Sequence, residues 1–250
     1  MKLSNSSISM YLRCPAQYYF RYVLNYVIPP KVVLIKGSAV HKGQEINYKQ
    51  KIDSHEDLKT SDVMEVVADE FTKLVSDVEV APDEDVGKEL DEAVGMGKAY
   101  HEEIAKTVQP LAVEQEIRIQ HNDFTLQGYI DVIEEGGIIR DTKTKTRLPE
   151  QSEVDKDLQL SAYAYLYRSA LEVKEKGIRL DCILRGGKKV KPSTNTITTY
   201  RDDSDVERYR KIAEKVHEAI RNEMFYPNHH EGWVCSPAYC GYWKECHKLF

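Results

Sequence analysis

Long apolar runs are missing from this 250-residue sequence. No stretch approaches the roughly 18 to 20 apolar residues that a membrane-spanning helix needs. The opening residues carry one early lysine with no apolar segment behind it, so no secretory leader is expected. Linkers rich in glycine, serine or proline are absent, as are internal repeats and low-complexity tracts, which argues against tethered domains. The expectation is one elaborated domain over residues 1–250, soluble and intracellular (cytoplasmic), with enough chain to bury a real core.

A surplus of positive charge is also lacking. The formal net charge is −6, which at first argues against partners rich in phosphate. The distribution alters that. Between residues 53 and 103, 17 acidic side chains face 4 basic ones, a net of −13 that leaves +7 for the rest of the chain. The acidic stretch reads as a solvated helical insertion or, more commonly for such a run, as the charged surface of ordinary helices.

What is present is a change of periodicity along the chain. Residues 7–26 are rich in aromatics and read as two short helices, with Pro15 suited to the first turn of the second and Cys14 at their junction. Helical spacing recurs over residues 37–51, which carry His41, and over 62–75 and 85–108. Alternation then takes over in residues 112–120, 125–134 and 137–144, separated by turns at 121–123 and 136–137, which predicts a three-stranded meander. A helix over 155–175, strands over 180–185 and 196–200, and a helix over 205–223 follow. The class is α/β: a mixed central sheet flanked by helices, with a helical N-terminal part at 37–110 and a sheet core at 111–202.

Two strands of the meander hold the candidate chemistry. Asp131 lies in GYIDVI, and Asp141 and Lys143 lie in IIRDTKTKT. A spacing of two puts Asp141 and Lys143 on one face of a strand, while Thr142 between them offers only its backbone carbonyl there. Two carboxylates and a carbonyl make a hard oxygen site for Mg²⁺ or Mn²⁺. A lysine beside metal-bound water can orient it and stabilise charge on a phosphate under attack. Asp-x-Lys by itself is more often a solvated pair. Gln159 and Tyr163, one turn apart on the following helix, can support the site or serve as ordinary amphipathic positions. His41 near a helix start is a further candidate ligand, and Glu116 on the preceding strand either contacts a second metal or faces solvent.

Taken in order, His41 in GSAVH, Asp131 in GYID, Asp141 and Lys143 in DTK, and Gln159 with Tyr163 in QLSAY resemble the PD-(D/E)XK nucleases of the RecB-like branch. The resemblance spans residues 4–246. It implies a restriction-endonuclease-like core, His41, Asp131, Asp141 and the Thr142 carbonyl as metal ligands, Lys143 as the catalytic lysine, and Gln159 and Tyr163 as support. Asp141 stands where the branch more commonly has Glu.

Three of the cysteines, Cys235, Cys240 and Cys246, crowd the C-terminal tail, and Cys14 is the candidate fourth ligand. Cys182, on an expected buried strand, reads as an apolar filler. Four thiolates suit either zinc or an iron-sulfur cluster, and spacing does not separate them. One distant cysteine plus three near the C-terminus is similar to the staple of AddB-type and CRISPR-associated RecB-like nucleases, which implies a 4Fe-4S cluster.

The resulting expectation is a DNA nuclease, an exonuclease on single strands or ends in recombination, repair or replication. Tyr18, Tyr19, Phe20 and Tyr22 are candidates for stacking on bases, and Arg185, Lys188, Lys189 and Lys191 for phosphate contacts, with core packing and a solvated basic turn as the bland alternatives. The competing reading is a non-catalytic DNA-binding or assembly subunit, or a CRISPR adaptation nuclease, of the same fold. Against a binder stands the trio Asp131, Asp141 and Lys143, which binding does not require.

Overall fold

The computed structural model describes residues 1–78, 80, 84–187, 190–228 and 234–250. Strand β1 (Lys2–Leu3) leads into helices α1 (Asn5–Arg13) and α2 (Pro15–Tyr18), the latter running on as a π turn over Tyr19–Val23. Ser4 caps α1 in a reciprocal capping box with Ser7. Pro15 opens α2, where its missing N–H leaves nothing unpaired.

Helices α3 (Val32–Ser54), α4 (Thr60–Ser76) and α5 (Val86–Glu103) form one layer. Helix α3 begins before the expected residue 37, because Val32 and Ile35 are buried and carry the helix back toward Pro30. The acidic stretch is the charged outer surface of ordinary packed helices. Val67 and Phe71 of α4 and Met96 and Tyr100 of α5 share a buried cluster with Val40 and Tyr48 of α3, while Glu65 and Asp69 face solvent.

The remaining elements are β2 (Pro110–Gln120), β3 (Thr125–Glu134), β4 (Ile138–Lys145), α6 (Gln151–Asp155), α7 (Leu158–Leu171), β5 (Gly177–Leu184), β6 (Ser193–Thr199), α8 (Asp203–Arg221) and α9 (Trp243–Leu249). The helix expected over 155–175 is α7, which starts at Leu158 because the Asp157 carboxylate accepts from the Gln159 and Leu160 N–H groups, and ends at Leu171. Gly136 and Gly137, with φ of 86° and 82°, make the tight turn between β3 and β4 that side chains resist.

The sheet is mixed. β2 runs antiparallel along β3, β4 pairs parallel with β5, and β6 closes the far side antiparallel. The other edge of β3 is divided: β1 takes Thr125 and Leu126, and β4 pairs only at Val132↔Arg140 and Ile133↔Ile139. Beyond Arg140 the two strands diverge, and the opening between them receives the side chains of Asp131 and Tyr163. Ile139, Leu180 and Cys182 pack toward α7 and α8, so Asp141 and Lys143 also point toward α7, while Arg140 and Thr142 point to the α3–α5 layer. No described helix is long and apolar enough to cross a membrane.

Gly128 sets how closely α7 approaches β3, since a Cβ there would lie 2.5 Å from Leu166 Cδ1 in the core. Gly128→Ala is expected to cost about 1 to 3 kcal/mol through overpacking. Denaturant melts check this; an unchanged midpoint would mean the interface has slack.

Candidate active site

Three elements meet at the mouth of the β3–β4 opening. Because β4 has left β3, the Thr142 N–H has no strand partner on that side and donates to Asp131 Oδ2 at 3.1 Å. The Tyr163 hydroxyl lies 3.2 Å from both Asp131 Oδ1 and Asp141 Oδ1, so the two carboxylates share one neighbour. Its single hydrogen serves one of them at a time, while its oxygen accepts from Gln159 Nε2 at 2.8 Å. Asp141 Oδ1 further accepts from Lys143 Nζ at 2.9 Å and from Gln159 Nε2 at 3.1 Å. His41, on α3, places Nδ1 3.6 Å from Asp131 Oδ2. The structure thus brings His41, Asp131, Asp141, Thr142, Lys143, Gln159 and Tyr163 to one point.

Burial governs the electrostatics. Asp141 is 1 % exposed, and its Oδ2 has no hydrogen-bond partner. Its acid is pushed up to about 7 by burial and then by Asp131, with Lys143 only partly opposing the rise. Burial pulls the Lys143 amine down, yet Asp141 and Asp131 more than offset it and hold it above the usual lysine range. Burial lowers the His41 imidazole despite Asp131, which favours the neutral ring a metal would need. Among the described residues, no three His, Cys, Asp or Glu side chains are placed to hold a metal ion as they stand.

Two features escaped the sequence. Glu114, with φ of 50°, shares with His41, Asp131 and Lys143 a wide cavity between α3 and the sheet. Its acid is pushed up to about 7 by burial, then by Asp131 and Glu45. Counting back from the Gln120↔Thr125 pair at the hairpin turn places residue 114, not 116, across from Asp131, a signal the sequence contained. Glu116 instead lies opposite Tyr129, bonded to Tyr129 and Arg118 on the solvent face, so it is not a metal contact. The second feature is a polar network behind β4. Arg140, 3 % exposed, donates to Glu134 and Asp181, and Asp181 also accepts from Tyr100 and Thr196. It fixes the strand that carries Asp141, and breaking such a buried pair typically costs about 3 to 5 kcal/mol.

Cys14, Cys235, Cys240 and Cys246 line a single small cavity near Phe20 and Tyr242. Gln17 Nε2 donates to Cys240 Sγ at 3.4 Å and the Asn228 N–H to Cys14 Sγ at 3.5 Å. Cys182 is fully buried in the core, as a filler should be. Tyr18 and Phe20 are core residues, 5 % and 2 % exposed, so neither is open to a base; both pack in aromatic groups that tie the N-terminal segment to the tail. Tyr19 packs at a tilt against Phe225 and is half-buried, and Tyr22 is exposed. Arg185 is half-buried, Lys191 is exposed, and Lys188 and Lys189 lie outside the described residues.

A family model described as the PD-(D/E)XK nuclease superfamily matches residues 2–247. No curated protein matches the chain. A crystal structure from Eubacterium rectale, named provisionally as an exonuclease, superposes on 100 % of this chain and 88 % of its own with a TM-score of 0.64 at 11 % identity, a likeness of fold. A second solved structure, that of SSO0001, covers 91 % of each chain at 14 % identity with a TM-score of 0.36, too low to argue from.

Proposed function

The chain belongs to the PD-(D/E)XK nuclease superfamily, and from that premise we propose that it is a divalent-metal-dependent deoxyribonuclease acting as an exonuclease on single strands or DNA ends. The observation that carries this is Asp141: a carboxylate buried at 1 % exposure, one oxygen without a partner, beside Asp131 and Lys143. A bare buried oxygen of this kind is costly unless a cation meets it. The donors suit a hard ion, with His41, Asp131, Asp141 and the Thr142 carbonyl as the holders. When bound, Mg²⁺ or Mn²⁺ lowers the pKa of a coordinated water and neutralises charge on the phosphate.

The protein's own groups do the rest. Gln159, Tyr163 and Lys143 all engage Asp141 Oδ1, which leaves Oδ2 directed elsewhere. Lys143 stays a cation through neutral pH because the two carboxylates raise its pKa. Its role is therefore to orient the attacking water and stabilise developing phosphate charge, not to accept the proton. The name given to the Eubacterium rectale structure agrees with an end-directed activity. Oligonucleotides blocked at the 5′ end, the 3′ end or both test it. An exonuclease loses cutting when its entry end is blocked and leaves circular single strands intact; circles cut as fast as linear strands would contradict the reading.

We infer further that the four clustered cysteines hold a 4Fe-4S cluster, with zinc as the other occupant their chemistry allows. The Cys246 thiol is pushed up by burial and then by Cys14, Cys240 and Cys235, mutual repulsion that a shared metal centre relieves. Such a site ties residue 14 to the tail and removes much unfolded-state entropy. Anaerobically purified Cys240→Ser is expected to lose visible absorbance and to melt lower than wild type. Colourless wild type containing zinc would select the other metal; colourless, metal-free wild type melting with Cys240→Ser would remove the staple.

A further inference from the structure

Four carboxylates line the cavity between α3 and the sheet: Glu45, Glu70, Glu114 and Asp131. Glu45 is bound to Lys42 and Lys49, and Glu70 to Lys73. Glu114 forms no ion pair or hydrogen bond among the described residues, although it is half-buried. Its position is also unusual. It lies between the pairs Val113↔Val132 and Gln115↔Ile130, which puts it directly across from Asp131. Like charges facing each other across a strand pair repel. Glu114 moreover takes a left-handed backbone conformation, φ 50°, inside a strand, a geometry that a non-glycine residue holds only at a cost. Repulsion and strain combine at one residue of the cavity, and Lys42 and Lys49, both paired with Glu45, ease it without forming an ion pair to Glu114.

We propose that Glu114 is an additional ligand of the divalent-ion site, holding a cation together with Asp131. The proposal rests on the metal-dependent reading of this site. Asp141 Oδ2, buried and unpartnered, is the separate sign that the same group of side chains lacks a cation. Glu114 then explains why the cavity toward α3 is acidic at the one strand position facing Asp131.

Binding of Mn²⁺ alone tests this, read by calorimetry and by the electron paramagnetic resonance signal of free Mn²⁺, with no substrate present. Glu114→Gln keeps the size and the backbone conformation and removes only the charge. It is expected to weaken Mn²⁺ binding roughly tenfold or more, or to remove one ion from the stoichiometry. Glu70→Gln, in the same cavity but paired with Lys73, is expected to bind within about twofold of wild type. A second readout guards against misfolding: in EDTA, Glu114→Gln should melt at or above the wild-type temperature because repulsion is gone, and added Mn²⁺ should raise the wild-type midpoint more. Unchanged Mn²⁺ affinity and stoichiometry in Glu114→Gln, with wild type binding and Asp141→Asn not, overturns this assignment alone. Wild type that binds no Mn²⁺ overturns the metal-dependent reading beneath it.

Discussion

Lys143→Ala is expected to lower phosphodiester cleavage by roughly 10²- to 10⁴-fold while leaving Mn²⁺ binding largely in place. The amine sits 2.9 Å from Asp141 Oδ1 and contacts no other described oxygen at that range, so its loss spares the ligands. On the proposed reading, what disappears is a fixed positive charge beside the phosphate under attack. Such preorganised charge in a partly buried site stabilises the transition state more than the bound ground state. The loss should therefore fall on kcat. Single-turnover rates at saturating Mn²⁺ check this. Equal cutting by the variant would assign the activity to another site or to a contaminant.

Asp141→Asn is expected to abolish cleavage and yet to make the ion-free protein more stable at pH 8. The folded-state acid is raised from 3.8 to about 7, so between those values the native state holds a proton that the unfolded chain has released. Stability associated with that proton is fully present below the ordinary carboxylate value and is lost as pH rises through about 7. In EDTA, wild type should lose melting temperature between pH 5.5 and 8 relative to Asp141→Asn, because the asparagine has no charge to bury. Saturating Mn²⁺ should close the gap from the wild-type side. Parallel melting curves for the two proteins across that range would show that Asp141 is not held in the strained, cation-seeking state inferred here.

The same tension between stability and function marks the boundary of what the sequence disclosed. Strand β3 was expected over 125–134 and occupies Thr125–Glu134, because alternation, the downstream Gly-Gly turn and burial all specify one register. The order of Asp131, Asp141, Lys143, Gln159 and Tyr163 was likewise visible, since strand and helix periods set which side chains share a face. Long-range effects were hidden. The Asp157 cap that starts α7 competes with a continuous apolar pattern, and only the backbone decides between them. Glu114 was overlooked for Glu116 because the two, a period apart, share strand parity and only the register counted from the hairpin turn separates them. Tyr18 and Phe20 looked like a stacking surface, but aromatic residues bury so much area that tertiary contact claimed them for the core. The acidic helices do present a charged outer surface, as expected, but charge counts do not register Val67, Phe71 and Met96 on their inner faces.

Convergence of Asp131 and Asp141 on one divalent ion is the claim from which the others follow. Incubating end-labelled single-stranded and duplex DNA with wild type and Asp131→Asn, in Mn²⁺, Mg²⁺ or EDTA, tests it most directly. Stepwise shortening by wild type with either metal, absent in EDTA and absent in Asp131→Asn, is the result expected. Cleavage that persists in EDTA, or that Asp131→Asn performs at the wild-type rate, would contradict it.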